Sequence, residues 1–188
     1  MPSEPLADAR AADWFVQADG DVWTKILLGP PGYAAYVRIQ FADQDERPSV
    51  AVPTMPAVVD LLIANGGPFA RGFVGLWEGY GGHVPAGPRF DVFEETSDQL
   101  PVRTYVLLTT PLDELFRPGV VWPDESSVFV EPHLVWPADR TWFIAADVDP
   151  QWFTVGASED MASKLLANHS FDAELIPYGM RTARGDDW

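Results

Sequence analysis

Proline and glycine are spread along the whole sequence, and they limit how long any helix or strand can be. The 188 residues include 18 prolines and 15 glycines. Proline breaks helices and is excluded from central strands, while glycine weakens both kinds of element. We therefore expect many short elements joined by turns. There is no internal repeat and no low-complexity stretch.

Hydrophobic patterning predicts that most of these elements are strands. In residues 33–41 the odd positions are apolar and the positions between them are mostly polar, as in a half-buried strand. Other apolar segments bounded by turn residues predict further strands. Their ranges are 21–27, 73–78, 89–93, 103–108, 127–130, 141–146, 152–155 and 173–176.

Capping residues and apolar spacing predict three helices. Thr54, Thr110 and Ser158 each stand where a helix can begin, and an apolar segment follows each of them. Strands outnumber helices and do not alternate regularly with them. This order favours an α+β fold, in which a mostly antiparallel or mixed sheet of short strands carries two or three helices on one side.

The length is that of a single domain, and a chain of this size can bury a core without a disulfide. We expect a single α+β domain over residues 13–178. Residues 1–12 are polar and alanine-rich and are expected to form a flexible N-terminal segment, and residues 179–188 a polar C-terminal tail. Residues 1–11 lack the features of a signal peptide, so the expected location is the cytoplasm.

Acidic residues dominate the charge. The chain has 28 acidic and 12 basic residues, a formal charge of −16. Such a field repels nucleic acids and anionic membranes and attracts cationic partners, although it also serves solubility. We therefore expect a basic protein partner, with no nucleic-acid or membrane partner. The absence of cysteine excludes disulfides, thiolate catalysis and cysteine-based zinc sites.

No set of residues matches a catalytic or metal-binding motif. His83, His133 and His169 are far apart in sequence, so neither a metal nor another cofactor is expected. The acidic run at 43–46 begins like a calcium loop, but arginine and proline follow where further ligands and a glycine belong. Ser158 follows Gly156 as in a nucleophile elbow, but the closing glycine is missing and a helix cap explains the serine.

One local segment could serve a small-molecule or sugar site. Glu78 lies between Trp77 and Tyr80 beside a glycine turn, and a carboxylate flanked by aromatic rings suits carbohydrate binding or glycoside hydrolysis. Hydrolysis needs a second carboxylate, for which Asp91, Glu94, Asp147 and Asp149 are candidates that the sequence does not place. The alternative is that Trp77 packs in the core while Glu78 is solvated.

A second segment resembles a known group of proteins. Trp136-Pro137-Ala138-Asp139-Arg140-Thr141-Trp142 resembles the Trp-Pro-Ala-Asp-Arg-x-Trp signature of an uncharacterised bacterial family, which implies a shared fold but no known reaction. A structural role explains these residues too: Asp139 can accept backbone N–H groups in a turn, Arg140 can pair with a carboxylate, and Trp142 can pack in the core.

A fainter resemblance adds a functional expectation. The end of the first long predicted helix, Asn65-Gly66-Gly67, precedes an aromatic-rich strand and is similar to the SMI1/KNR4-like immunity proteins. That resemblance implies an acidic module that binds and neutralises a toxin. The leading hypothesis is a non-enzymatic interaction module, immunity- or inhibitor-like. The alternative is a small-molecule or carbohydrate-binding protein or hydrolase centred on Trp77, Glu78 and Tyr80.

Overall fold

The computed structural model describes residues 6–41, 54–66, 71–79, 84–94, 100–117, 120 and 132–180. Tyr80, His83, the acidic run at 43–46 and the strand expected over 127–130 lie outside the described residues.

An eight-stranded antiparallel sheet forms the centre of the molecule. In chain order the strands are β1 (Ala35–Gln40), β2 (Gly72–Trp77), β3 (Arg89–Val92), β4 (Arg103–Thr110), β5 (Leu134–Pro137), β6 (Phe143–Ala146), β7 (Trp152–Ala157) and β8 (Ala173–Ile176). Their order across the sheet is β3-β4-β2-β5-β6-β7-β1-β8, and every neighbouring pair is antiparallel. Among the described strands, β3 and β8 are therefore the edges of the sheet.

The helices within the described residues are few and mostly short. They are α1 (Asp13–Val16), α2 (Val22–Leu28), α3 (Thr54–Gly66) and α4 (Glu159–Ala167), with 3₁₀ turns at Arg10–Ala12 and Leu112–Glu114. Together with the sheet they confirm the predicted α+β class.

All three predicted helical segments pack on one face of the sheet. Residues of α3, α4 and the Leu112–Glu114 turn share one core with inward side chains of the strands, among them Val37, Val74 and Ile144. Ser158 caps α4 as predicted, because its Oγ accepts a hydrogen bond from the Met161 N–H at 3.3 Å.

The N-terminal segment covers the other face. Ala12, Phe15, Val22 and Ile26 are buried in a second core with inward side chains of the strands, and the Phe15 ring stacks on Phe143 with 5.3 Å between centroids. The sheet is therefore covered on both faces.

The prediction of a strand over 21–27 is wrong, because residues 22–27 belong to α2 and Asp21 caps it. The Asp21 carboxylate accepts the Thr24 N–H at 2.8 Å and so caps the helix. Val22 and Ile26 face the core at helical spacing. Lys25 is buried, and its ammonium donates to the carbonyl oxygens of Val16 and Ala18 at 3.2 and 2.8 Å.

One strand was not predicted. All four residues of β5 are buried, so this strand has no alternation of polar and apolar positions that would reveal it. The expected strands at 33–41, 73–78, 89–93, 103–108, 141–146, 152–155 and 173–176 correspond to β1, β2, β3, β4, β6, β7 and β8 with shifts of a few residues at most.

Candidate functional site

Glu78 lies on the surface in an ion pair. Its Oε1 accepts from Nε and Nη2 of Arg89 at 2.8 and 2.7 Å, and about half of each side chain is exposed. Trp77 ends β2 and is partly buried, whereas Tyr80 is outside the described residues. Asp149 is exposed. Glu78 is paired with Arg89, whereas Asp147 is paired with a different arginine, Arg103.

Asp147 forms a buried ion pair with Arg103. Nη2 of Arg103 donates to Oδ2 of Asp147 at 2.8 Å, and Nε donates to Oδ1 at 3.2 Å, which is a two-point arginine–carboxylate contact. The side chains are only 11% and 5% exposed. Arg103 begins β4 and Asp147 follows β6, so the pair connects strands that are not neighbours in the sheet.

Two tryptophan rings enclose the Arg103 guanidinium. Its Cζ lies 5.2 Å from the ring centroid of Trp23 and 4.9 Å from that of Trp77. Both distances are typical of cation–π contacts. Since Trp23 belongs to α2 and Trp77 ends β2, the arginine also connects the N-terminal helix to the sheet.

His133 and Tyr105 are buried near this ion pair. Nδ1 of His133 accepts the Trp77 N–H at 3.1 Å, and burial lowers the pKa of His133 to about 4 although Asp147 opposes the shift. Burial and the nearby Asp147 raise the pKa of the Tyr105 hydroxyl. Among the described residues none accepts or donates a hydrogen bond to that hydroxyl.

These residues, which we call the Arg103 cluster, are arranged to hold the structure together. The cluster consists of Arg103, Asp147, His133, Tyr105 and the two tryptophans. The carboxylate is neutralised by the guanidinium, and arginine does not deprotonate in proteins. In the part of the chain that the structure describes, no three acidic or histidine residues are placed to hold a metal ion.

The signature segment contributes to both cores. Trp136 is fully buried against the N-terminal helices, whereas Trp142 lies in the core on the opposite face. Asp139 accepts the N–H and hydroxyl of Thr141 at 3.1 and 2.9 Å, which fixes the turn between β5 and β6.

The contact that Arg140 makes differs from the predicted one, which was an ion pair with a carboxylate. Its guanidinium lies over the Trp14 ring, 4.7 Å from the centroid, and within the described ranges no ion pair to it is formed. Its φ of 58° places the residue in the left-handed region. Its carbonyl oxygen accepts the Tyr33 hydroxyl at 3.0 Å, which ties the turn to the entry of β1.

A groove that the sequence did not reveal lies at the β8 edge. It has a volume of about 640 Å³ and runs between α4, β8 and the tyrosines at the start of β1. Its apolar wall includes Leu166 and Leu175, which are 38% and 61% exposed, and Glu159 is on its rim. Tyr178 closes one side by donating its hydroxyl to the Gly29 carbonyl at 3.2 Å.

Comparison with known proteins adds no relative. No protein-family model, no curated protein and no solved structure matches this chain. Among the described residues no helix has the length and apolar character needed to cross a bilayer.

Proposed function

We propose that this protein is a non-enzymatic binding module, immunity- or inhibitor-like, that uses an acidic surface to bind a basic protein. The observation that carries the proposal is the position of the carboxylates. In the described ranges most acidic residues are exposed, whereas the side chain of Asp147 is buried in its pair with Arg103. The exposed ones are Asp8, Asp13, Asp19, Asp21, Asp60, Glu94, Asp113, Asp139, Asp149, Glu159, Asp160, Asp172 and Glu174.

The negative charge of this surface favours a cationic protein as its partner. A chain with a charge of −16 attracts a cationic protein over several ångströms and speeds its association. A site of general acid–base chemistry would instead gather carboxylates in a dry cleft. Asp147 is such a sheltered carboxylate, but both of its oxygens are already occupied by the two-point contact with Arg103.

The small-molecule or carbohydrate hypothesis has less support. Glu78 is engaged by Arg89, and the Arg103 guanidinium lies over the Trp77 ring, on whose face a sugar would have to stack. Glycoside hydrolysis also needs two carboxylates at a set separation that are not held in ion pairs. Glu78 and Asp147 are both held by arginines.

The test is capture at low ionic strength followed by reconstitution. The immobilised protein is exposed to cell extract and eluted with rising NaCl, and each retained protein is purified and titrated against it. A matched resin that carries an unrelated protein of similar net charge identifies the proteins that bind any acidic surface, and these are discarded. We expect a basic protein whose affinity falls steeply with salt. Retention of nothing beyond the control resin would contradict the proposal.

A further inference from the structure

The outer edge of β8 offers unpaired backbone groups. Gln40 donates its N–H to the Asp172 carbonyl at 2.9 Å, which sets the hydrogen-bond phase between β1 and β8. In an antiparallel pair alternate residues bond to the neighbour, so Glu174 and Ile176 bond to β1 while Ala173 and Leu175 direct their N–H and C=O groups outward. Since β8 ends the sheet order, this outward row has no strand beside it in the described structure.

The two faces of this edge differ in chemistry. Leu175 projects on the same face as its cross-strand partner Val37, where α4 packs, and lies with Leu166 in the groove. Asp172 and Glu174 alternate with it and project on the opposite face. An added strand would therefore place apolar side chains beside Leu175 and a basic one beside Asp172.

The local charges favour a cationic occupant. Arg38 is already paired with Glu174, and Lys164 with Asp160 at 2.8 Å. The carboxylates of Glu159 and Asp172 have no ion-pair partner among the described residues. The basic side chains near the groove are thus compensated, and negative charge remains at Glu159 on the rim and at Asp172 just before β8.

We propose that the outer edge of β8 and the adjoining groove bind an extended segment of a basic partner protein, which adds to the sheet as an antiparallel or parallel strand and alternates basic with apolar side chains. Main-chain hydrogen bonds to Ala173 and Leu175 give affinity, and the alternation gives specificity. Pro177 has no N–H and ends the available ladder. This inference rests on the proposed function, because it names the surface that meets the basic partner.

Peptide titration of the full chain tests the inference. The probe is an end-blocked peptide that alternates lysine and valine, and its control has the same composition in one lysine block and one valine block. Binding is measured by isothermal titration calorimetry at low ionic strength. We expect the alternating peptide to bind about tenfold more tightly than the control, because only it separates its two kinds of side chain onto the two faces.

Variants of Leu175 locate the binding. Leu175→Pro removes an outward N–H without removing a bond to β1, and Leu175→Lys places a repelling charge at the edge while keeping the N–H. Each should weaken the alternating peptide by about tenfold or more. Leu100→Lys, the same change at an exposed leucine outside the groove, should leave the affinity unchanged. Circular dichroism and thermal unfolding verify that each variant is folded.

The contrary outcomes separate this inference from the proposed function. If folded Leu175 variants bind the peptide as the wild type does, the edge is not the site, while charge-driven capture of a basic protein still stands. If the wild type binds neither peptide, the edge proposal fails and the extract experiment alone decides the function. If light scattering finds a dimer that Leu175→Pro converts to a monomer, the edge belongs to a second copy and the proposal is overturned.

Discussion

Removing one member of the Arg103–Asp147 pair leaves the other charge buried among aromatic rings. We expect Asp147→Ala to lower the free energy of unfolding by about 3 to 5 kcal/mol, the range seen when a buried pair is broken. The double variant Arg103→Met/Asp147→Leu should recover most of that loss, because no uncompensated charge remains. Urea denaturation measures both. Glu78→Ala, which breaks the exposed pair with Arg89, is the control and should cost far less.

His133 makes stability depend on pH. Its pKa is lowered from 6.5 to about 4 in the folded protein, so the unfolded chain binds the extra proton between these values. Stability from this group is therefore fully present above about pH 6.5 and is lost as the pH falls towards 4, by up to about 3 kcal/mol.

The His133→Asn variant isolates this contribution. An asparagine oxygen can replace Nδ1 as acceptor for the Trp77 N–H but does not titrate. Urea denaturation at a series of pH values should give a shallower decline for this variant than for the wild type between pH 6.5 and 4. His169→Asn, at an exposed histidine, is the control and should follow the wild type. Equal slopes for His133→Asn and wild type would contradict the assignment.

Asp147 could be identified from the sequence as a candidate residue, but its partner could not. Arg103 alternates along β4 in step with Tyr105 and Leu107, and both of these face the second core, which contains the N-terminal helices. Because side chains of a strand alternate between its two faces, this position indicated that Arg103 points into the same core. Which carboxylate meets it depends on how β4 and β6 are placed across two intervening strands, and no local pattern encodes this arrangement.

At the scale of elements, α2 depends on its cap. Asp21 accepts both the N–H and the hydroxyl of Thr24, at 2.8 and 3.0 Å. We expect Asp21→Ala to destabilise the fold by about 1 kcal/mol, as loss of a helix N-cap usually does. Asp19→Ala removes the same charge from an exposed position just before the helix and should change stability less. Urea denaturation with tryptophan fluorescence measures both, and equal effects would show that charge rather than capping matters.

The sequence predicted seven of the eight described strands, among them β6, whose four residues are all buried as those of β5 are. β1 alternates in sequence and was predicted, whereas β5 has no polar position that could alternate with its apolar ones and was missed. α2 was read as a strand because Val22, Trp23, Thr24 and Ile26 favour strands intrinsically. Packing of its buried face against β6 and β7 overrides that preference, since tertiary contacts stabilise short helices more than propensity does.

At the scale of the whole molecule, the same charge acts on folding and on binding in opposite directions. A net charge of −16 repels itself most in the compact state, so screening should stabilise the free protein. Screening also weakens attraction to a basic partner. A neutral surface would show neither effect, and a protein that binds through apolar contacts alone would show only the first.

We therefore expect NaCl to raise the melting temperature of the free protein while it lowers affinity for the captured partner. Calorimetry of the free protein and titration of the complex should be made over the same salt series, because the Debye length falls from about 30 Å at 0.01 M to about 8 Å at 0.15 M. A neutral osmolyte series is the control, since it stabilises without screening and should not lower the affinity. If affinity rises together with melting temperature along the salt series, the partner is held by apolar burial, and the acidic surface serves solubility only.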